Sequence, residues 1–196
     1  MDFRDVYATA ATDAGGRRAR TYERYGNIRK EEGFKDSGIA GLRSLAVDYS
    51  GRSGAPCLLA IVDHITGGKK KIWTWQLLPP SQGDRKGPGD PGDLSRTKVE
   101  GNTFTITKPD GATLAGVFAT RHEVKAELRN MSMTGGAGSS AGKTLSRPIY
   151  GVFAEGGGDF FVVITIQRGP APVVNVEGEG LNAKVTVGKQ TVRFDG

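Results

Sequence analysis

Arg43-Ser44-Leu45-Ala46-Val47-Asp48-Tyr49 and, after the turn residues Gly51-Arg52-Ser53-Gly54, Cys57-Leu58-Leu59-Ala60-Ile61-Val62 decide the fold class. The first run alternates Leu45, Val47 and Tyr49 against Ser44, Ala46 and Asp48, the period of a strand with one face buried. The second is continuously apolar, as expected of a strand covered on both faces. Thr66-Gly67-Gly68 is a hairpin turn signal, and Lys71 to Leu78 returns as a strand ended by Pro79-Pro80.

The pattern repeats outward. Thr103 to Thr107, a Lys108-Pro109-Asp110-Gly111 turn, Thr113 to Ala119 and Glu123 to Met131 form a second group of strands. Ile149 to Ala154, Phe160 to Gln167, Val173 to Glu177, Ala183 to Val187 and Gln190 to Phe194 complete the chain. On the N-terminal side, Phe3 to Thr12 reads as a first strand and Arg17 to Lys30 as a basic, tyrosine-bearing edge strand. Gly- and Pro-rich Ser81 to Arg96 reads as a long exposed loop. A second, Gly/Ser-rich loop starts at Gly135 and runs to about Ser146. No helix is predicted. The expectation is an all-β, antiparallel β-sandwich of about ten to twelve short strands, forming one domain over residues 1–196.

Composition agrees. Of 196 residues, 37% are hydrophobic and 24% charged, which suits a core-forming chain rather than a disordered one. The 30 glycines are about twice the usual share, as many turns between short strands require. No apolar run reaches the ~18 residues of a membrane span, and Met1-Asp2-Phe3-Arg4-Asp5 does not read as a signal peptide. A soluble chain with no membrane partner is expected, cytoplasmic as written, or periplasmic or secreted within a larger lyase.

The formal charge of +6 predicts attraction to polyanions. Lys69-Lys70-Lys71 at the hairpin tip is one candidate wall of such a site, and Arg20, Tyr22 and Arg24 on the basic edge strand are another. Trp73 and Trp75 lie two apart on one strand and share a face. Core packing is their first explanation, because Leu77 continues that face. Sugar stacking is the alternative, and it makes both candidate glycan-binding residues.

Catalytic signals are sparse. His64 follows Asp63, and His122 lies in Arg121-His122-Glu123, but adjacent strand residues point to opposite faces, so neither neighbouring carboxylate is placed to hold its imidazole. Ala137-Gly138-Ser139-Ser140-Ala141-Gly142-Lys143-Thr144 fits a relaxed phosphate loop. No helix follows it, however, and a phosphate loop depends on helix N-terminal N–H groups. The single Cys57 reads as buried packing. With only two histidines beside it, a Cys/His zinc site is not supported, and no cofactor is expected.

Leu45-Ala46-Val47-Asp48, Leu58 to Ile65 with Asp63-His64, and Ile72-Trp73-Thr74-Trp75-Gln76-Leu77 together resemble the C-terminal β-sandwich of heparinase II/III-like polysaccharide lyases. In that family an apolar strand ends in Asp and a basic residue before a hairpin and an aromatic strand. Phe160 to Thr165, Val185 to Gly188 and Thr191 to Phe194 are similar to the family's last strands. The resemblance implies an acidic polysaccharide partner. Those lyases also carry an α-helical toroid that supplies much of the catalytic chemistry, and this sequence leaves no room for one. It has Gln76-Leu77 where the family tends to show a His, so no catalytic residue is carried over. The resemblance thus implies a separated C-terminal piece or a stand-alone relative lacking the catalytic half.

The leading expectation is a non-catalytic module that recognises an acidic polysaccharide or accompanies a lyase. The first alternative is an interaction sandwich that packs on a helical partner or forms a homodimer. The second is a polysaccharide lyase or hydrolase using His64 or His122. Nucleic acid is the weaker polyanion candidate.

Overall fold

In a computed structural model of the chain, residues 39–80, 89, 91–120, 124–134 and 146–194 are described. They form β1 (Ala40–Asp48), β2 (Cys57–Thr66), β3 (Lys71–Gln76), β4 (Thr97–Glu100), β5 (Thr103–Thr107), β6 (Ala112–Phe118), β7 (Lys125–Thr134), β8 (Ser146–Gly156), β9 (Asp159–Arg168), β10 (Val174–Glu177), β11 (Lys184–Val187) and β12 (Gln190–Arg193). Helical structure among the described residues is confined to 3-10 turns at Leu94–Arg96 and Gly180–Asn182. The fold is all-β and antiparallel, a sandwich of twelve described strands.

Three layers build it. The middle sheet has the order β1-β2-β9-β6-β5-β4, with β3-β8-β7 on one face and β10-β11-β12 on the other. The register of β2 on β9 explains how one apolar run serves both faces. Leu59 and Ile61 lie opposite Ile164 and Val162 on one side of the sheet, while Ala60 and Val62 lie opposite Val163 and Phe161 on the other. The first set joins Trp73, Phe104, Phe118 and Val152 in one core, and the second joins Val117, Val185 and Val187 in another. Phe160 to Ile164, continuously apolar and at most 1% exposed, is the shared centre.

Hairpin packing ties the layers together. Gly158, in the β8–β9 turn, accepts a 2.9 Å hydrogen bond from the Ile65 N–H. Its φ is +128°, and a Cβ there would lie well under 3.0 Å from the Ile65 carbonyl oxygen, so only glycine fits.

The structure changes some expectations. Residues 3–12 and 17–30, predicted as strands, lie outside the described residues. β4 was not expected: its four residues carry Lys98 and Glu100 and read as the end of a loop. Of the predicted loop over 81–96, residues 81–88 and 90 lie outside the described residues, while its end forms a 3-10 turn at Leu94–Arg96 beside Asp93, which is buried to 3% exposure rather than solvated. Of the predicted second loop, residues 135–145 lie outside the described residues, while Ser146 already belongs to β8. Cys57 is half-buried rather than fully buried, because it is the first residue of β2 and pairs with Ile166, itself 36% exposed.

Candidate functional site

The Lys69-Lys70-Lys71 run occupies the β2–β3 connection and the first residue of β3, with Lys69 and Lys70 exposed and Lys71 half-buried. Sheet order adds what local sequence could not. β8 lies between β3 and β7, so Glu155 of β8 is paired with Lys125 of β7 on one side and Ile72 of β3 on the other. Lys70 Nζ lies 2.9 Å from Glu155 Oε2, and Arg129 of β7 lies 3.8 Å from the same oxygen while also binding Glu127. The Arg129 guanidinium, by hydrogen bonding, holds the Glu127 carboxyl below the usual carboxylate range, with Lys125 and Lys70 adding to the field. Glu127 in turn raises the Arg129 pKa. Lys70, Lys125 and Arg129 thus gather around two carboxylates on one face of this sheet, while Lys71 shares the opposite face with Trp73. Thr74 and Gln76 lie exposed further along β3.

The two tryptophans part company. Trp73 is 3% exposed, stacked on Trp75 at 6.2 Å, edge-on to Phe118 at 5.1 Å and tilted against Phe104 at 5.9 Å. It is packed as a core residue, the first of the two explanations given for it, and at this burial offers little ring surface for stacking on a sugar. The physical reason is position: β3 crosses the middle sheet, and Trp73 lies where the two sheets face each other. Trp75, two residues on, remains half-buried on the same side and lines a cleft of about 310 Å3 with Leu78, Ile106, Leu114, Ile166 and Lys108. At ~3.3 Å per strand residue this cleft is about 13 Å along β3 from Lys71, and Lys70, ion-paired to Glu155, lies on the opposite face of the strand from Trp75.

Asp93 lines the same cleft. Burial opposes its ionisation, but hydrogen bonds from Lys108, Arg96 (3.1 Å) and the Leu78 N–H (3.4 Å) outweigh that and hold its pKa below the ordinary value.

His64 acquires an acidic partner from across the sheet. Its Nδ1 lies 2.6 Å from Asp159 Oδ1, and the two residues are directly opposed in the β2–β9 ladder. An ionised Asp159 accepts a hydrogen bond from Nδ1–H, and in the neutral ring of that tautomer Nε2 is the acceptor nitrogen. Such a pair is the orienting half of an acid–base device. It stands on open surface, however, with side chains 52% and 38% exposed. His64 lines neither the Trp75 cleft nor the smaller one formed by Arg43, Asp63, Ile65 and Trp73. Asp63, its sequence neighbour, turns the other way and accepts two hydrogen bonds from Arg43, at 2.6 and 2.7 Å.

Arg20, Tyr22, Arg24, His122 and the relaxed phosphate-loop motif lie outside the described residues. Among the described residues no three His, Cys, Asp or Glu side chains converge to hold a metal ion.

No family model and no curated protein matches the sequence. Among solved structures, the chain is similar to the heparan sulfate lyase HepC of Pedobacter heparinus. One crystal structure, of a mutant, aligns at 13% identity and TM-score 0.46 over 79% of this chain and 23% of that one. Another aligns at 12% identity and TM-score 0.43 over 81% and 26%. The chain spans about a quarter of the length of those lyases.

Proposed function

We propose that this chain is a non-catalytic β-sandwich module that recognises an acidic polysaccharide, or serves as the accessory domain of a polysaccharide lyase. The observation that carries the reading is the convergence of Lys70, Lys125 and Arg129 on Glu127 and Glu155, with exposed Lys69 preceding Lys70 in the hairpin. An excess of exposed ammonium and guanidinium groups suits repeated carboxylates or sulfates, which bind by charge-assisted hydrogen bonds. The sequence resemblance to lyase sandwiches supports acidic polysaccharide over nucleic acid as the polyanion. The outward Thr74 and Gln76 offer neutral hydrogen bonds to sugar hydroxyls further along the same strand.

Titrating the full chain against sulfated, uronate and neutral polysaccharides and a DNA control, at low and moderate salt, tests this. Acidic polysaccharides are expected to bind and neutral ones not. The Lys69→Ala/Lys70→Ala/Lys71→Ala variant is expected to weaken binding by about tenfold or more with an unchanged melting temperature, since these are largely exposed charges. Equal binding to DNA, or undiminished binding by the triple variant, would overturn the reading. Unsaturated uronate products in the same cuvette would establish the enzyme alternative instead.

A further inference from the structure

On the outer face of the β3-β8-β7 sheet, three cations share two carboxylates unequally. Glu127 Oε1 accepts two hydrogen bonds from Arg129, one from Nε at 2.6 Å and one from Nη2, within a single strand. Glu155, on the central strand β8, instead bridges cations from both sides. Lys70 Nζ lies 2.9 Å from its Oε2 and Arg129 Nη2 lies 3.8 Å from the same oxygen, the second too long for a hydrogen bond. Lys125 stands directly opposite Glu155 in the β7–β8 ladder, is exposed, and makes no ion pair among the described residues. The Lys70 and Glu155 side chains are 53% and 43% exposed, so their pair is open to exchange with a competing anion.

We propose, on the basis of the acidic-polysaccharide reading above, that Glu155 regulates this same site as an internal competitor: it occupies Lys70 in the free chain, and a polyanion binds by entering at Lys125 and displacing it. Glu127 is the more firmly held of the two internal anions, since Arg129 hydrogen bonding keeps its carboxyl below the ordinary range. Arg129 therefore stays oriented by Glu127 while Lys70 is released. An anion that reaches only Lys125 leaves the Glu155 contacts in place. Exchanging Glu155 for one external carboxylate replaces like with like, and the internal group, tethered beside Lys70, has the higher effective concentration. Displacement takes a chain presenting several anionic groups across three strands, a width of about 10 Å, so the site favours densely charged polysaccharides over sparse ones.

Calorimetric titration of the full chain with heparin, which is densely sulfated, and with hyaluronan, which carries a single carboxylate per disaccharide, tests this. Glu155→Gln keeps the shape of the side chain and removes its charge. It should tighten heparin binding about three- to tenfold, because a networked ion pair no longer competes. Glu177→Gln is the control: it removes the same charge and frees Lys184, 2.8 Å away, in the β10-β11-β12 sheet on the other face of the middle sheet. Its effect on heparin should stay below about twofold, a net-charge effect alone. Hyaluronan, confined to Lys125, should gain no more from Glu155→Gln than from Glu177→Gln. In a Lys70→Ala background the heparin gain from Glu155→Gln should fall by about half or more. Equal heparin gains from Glu155→Gln and Glu177→Gln, an equal gain for hyaluronan, or a gain undiminished by Lys70→Ala would overturn the proposal and leave the polysaccharide reading standing. A wild-type chain that binds no acidic polysaccharide overturns both.

Discussion

Trp73→Ala is the substitution that separates packing from recognition most sharply. Trp73 is 3% exposed and touches three other aromatic rings, at 5.1, 5.9 and 6.2 Å. Removing a buried Trp side chain costs about 3–5 kcal/mol, and the edge-on and tilted contacts place this site in the upper half of that range. For a chain of this length each kcal/mol lowers the melting temperature by about 2–4 °C, so a fall of roughly 8–20 °C is expected. Trp73→Phe should fall much less. It loses volume, but it also removes an indole N–H that is buried without a partner, whose desolvation alone costs about 1–3 kcal/mol. Trp75→Ala, at a half-buried position on a cleft wall, should lie between them. The assay pairs thermal unfolding with polysaccharide titration well below the melting transition. Both Trp73 variants should keep wild-type affinity. A Trp73→Ala protein that melts like wild type yet no longer binds would place Trp73 on a ligand surface and refute the packing of β3 on the middle sheet.

Other outcomes are expected. Gly158→Ala combines a positive φ with overlap onto the Ile65 carbonyl and should cost at least about 3 kcal/mol, whereas Gly111→Ala, at φ +81° with nothing within 4 Å of the added Cβ, should cost only the conformational ~1–2 kcal/mol; chemical denaturation measures both. Asp93→Asn should cost about 2 kcal/mol near neutral pH, where Arg96 and Lys108 lose their shared carboxylate. Because the folded-state pKa of Asp93 is lowered, its stabilisation is complete above the ordinary carboxylate range and is lost as pH falls through the folded value. The gap between wild type and Asp93→Asn in urea unfolding should therefore close in acid, and a gap that widened there would reverse the assignment.

What could be read from the sequence follows the range of the signal. The buried strands declared themselves because the continuous apolar runs Leu58 to Val62 and Phe160 to Ile164 have one stable destination, between two covering layers. The β5–β6 turn did so because Lys108 to Gly111 has turn chemistry, confirmed by the Gly111 N–H to Lys108 carbonyl bond at 3.0 Å. β4 stayed hidden because four residues with two outward charges carry too little periodicity to stand out from a loop. Trp73 and Trp75 share parity and chemistry. Their different burial depends on where β3 crosses the neighbouring sheet, and nothing in Ile72 to Leu77 encodes that.

The candidate site was less legible, because its partners are made by pairing across sheets. Strand parity correctly denies His64 its neighbour Asp63. Its actual carboxylate is Asp159, 95 residues away, brought opposite by the β2–β9 register. Lys70 was visible as part of a charge run, yet what makes that run more than a solvated hairpin tip is Lys125 and Arg129, which arrive only because β8 lies between β3 and β7. Chain order would have paired β7 and β8 but offered no reason to bring β3 beside them. A cation cluster built this way depends on the sheet that assembles it. The triple lysine substitution should therefore act on binding alone, whereas breaking the β3–β8 pairing, as a proline at Ala154 of β8 would by removing an N–H on the hydrogen-bonded side facing β3, should lower affinity and stability together.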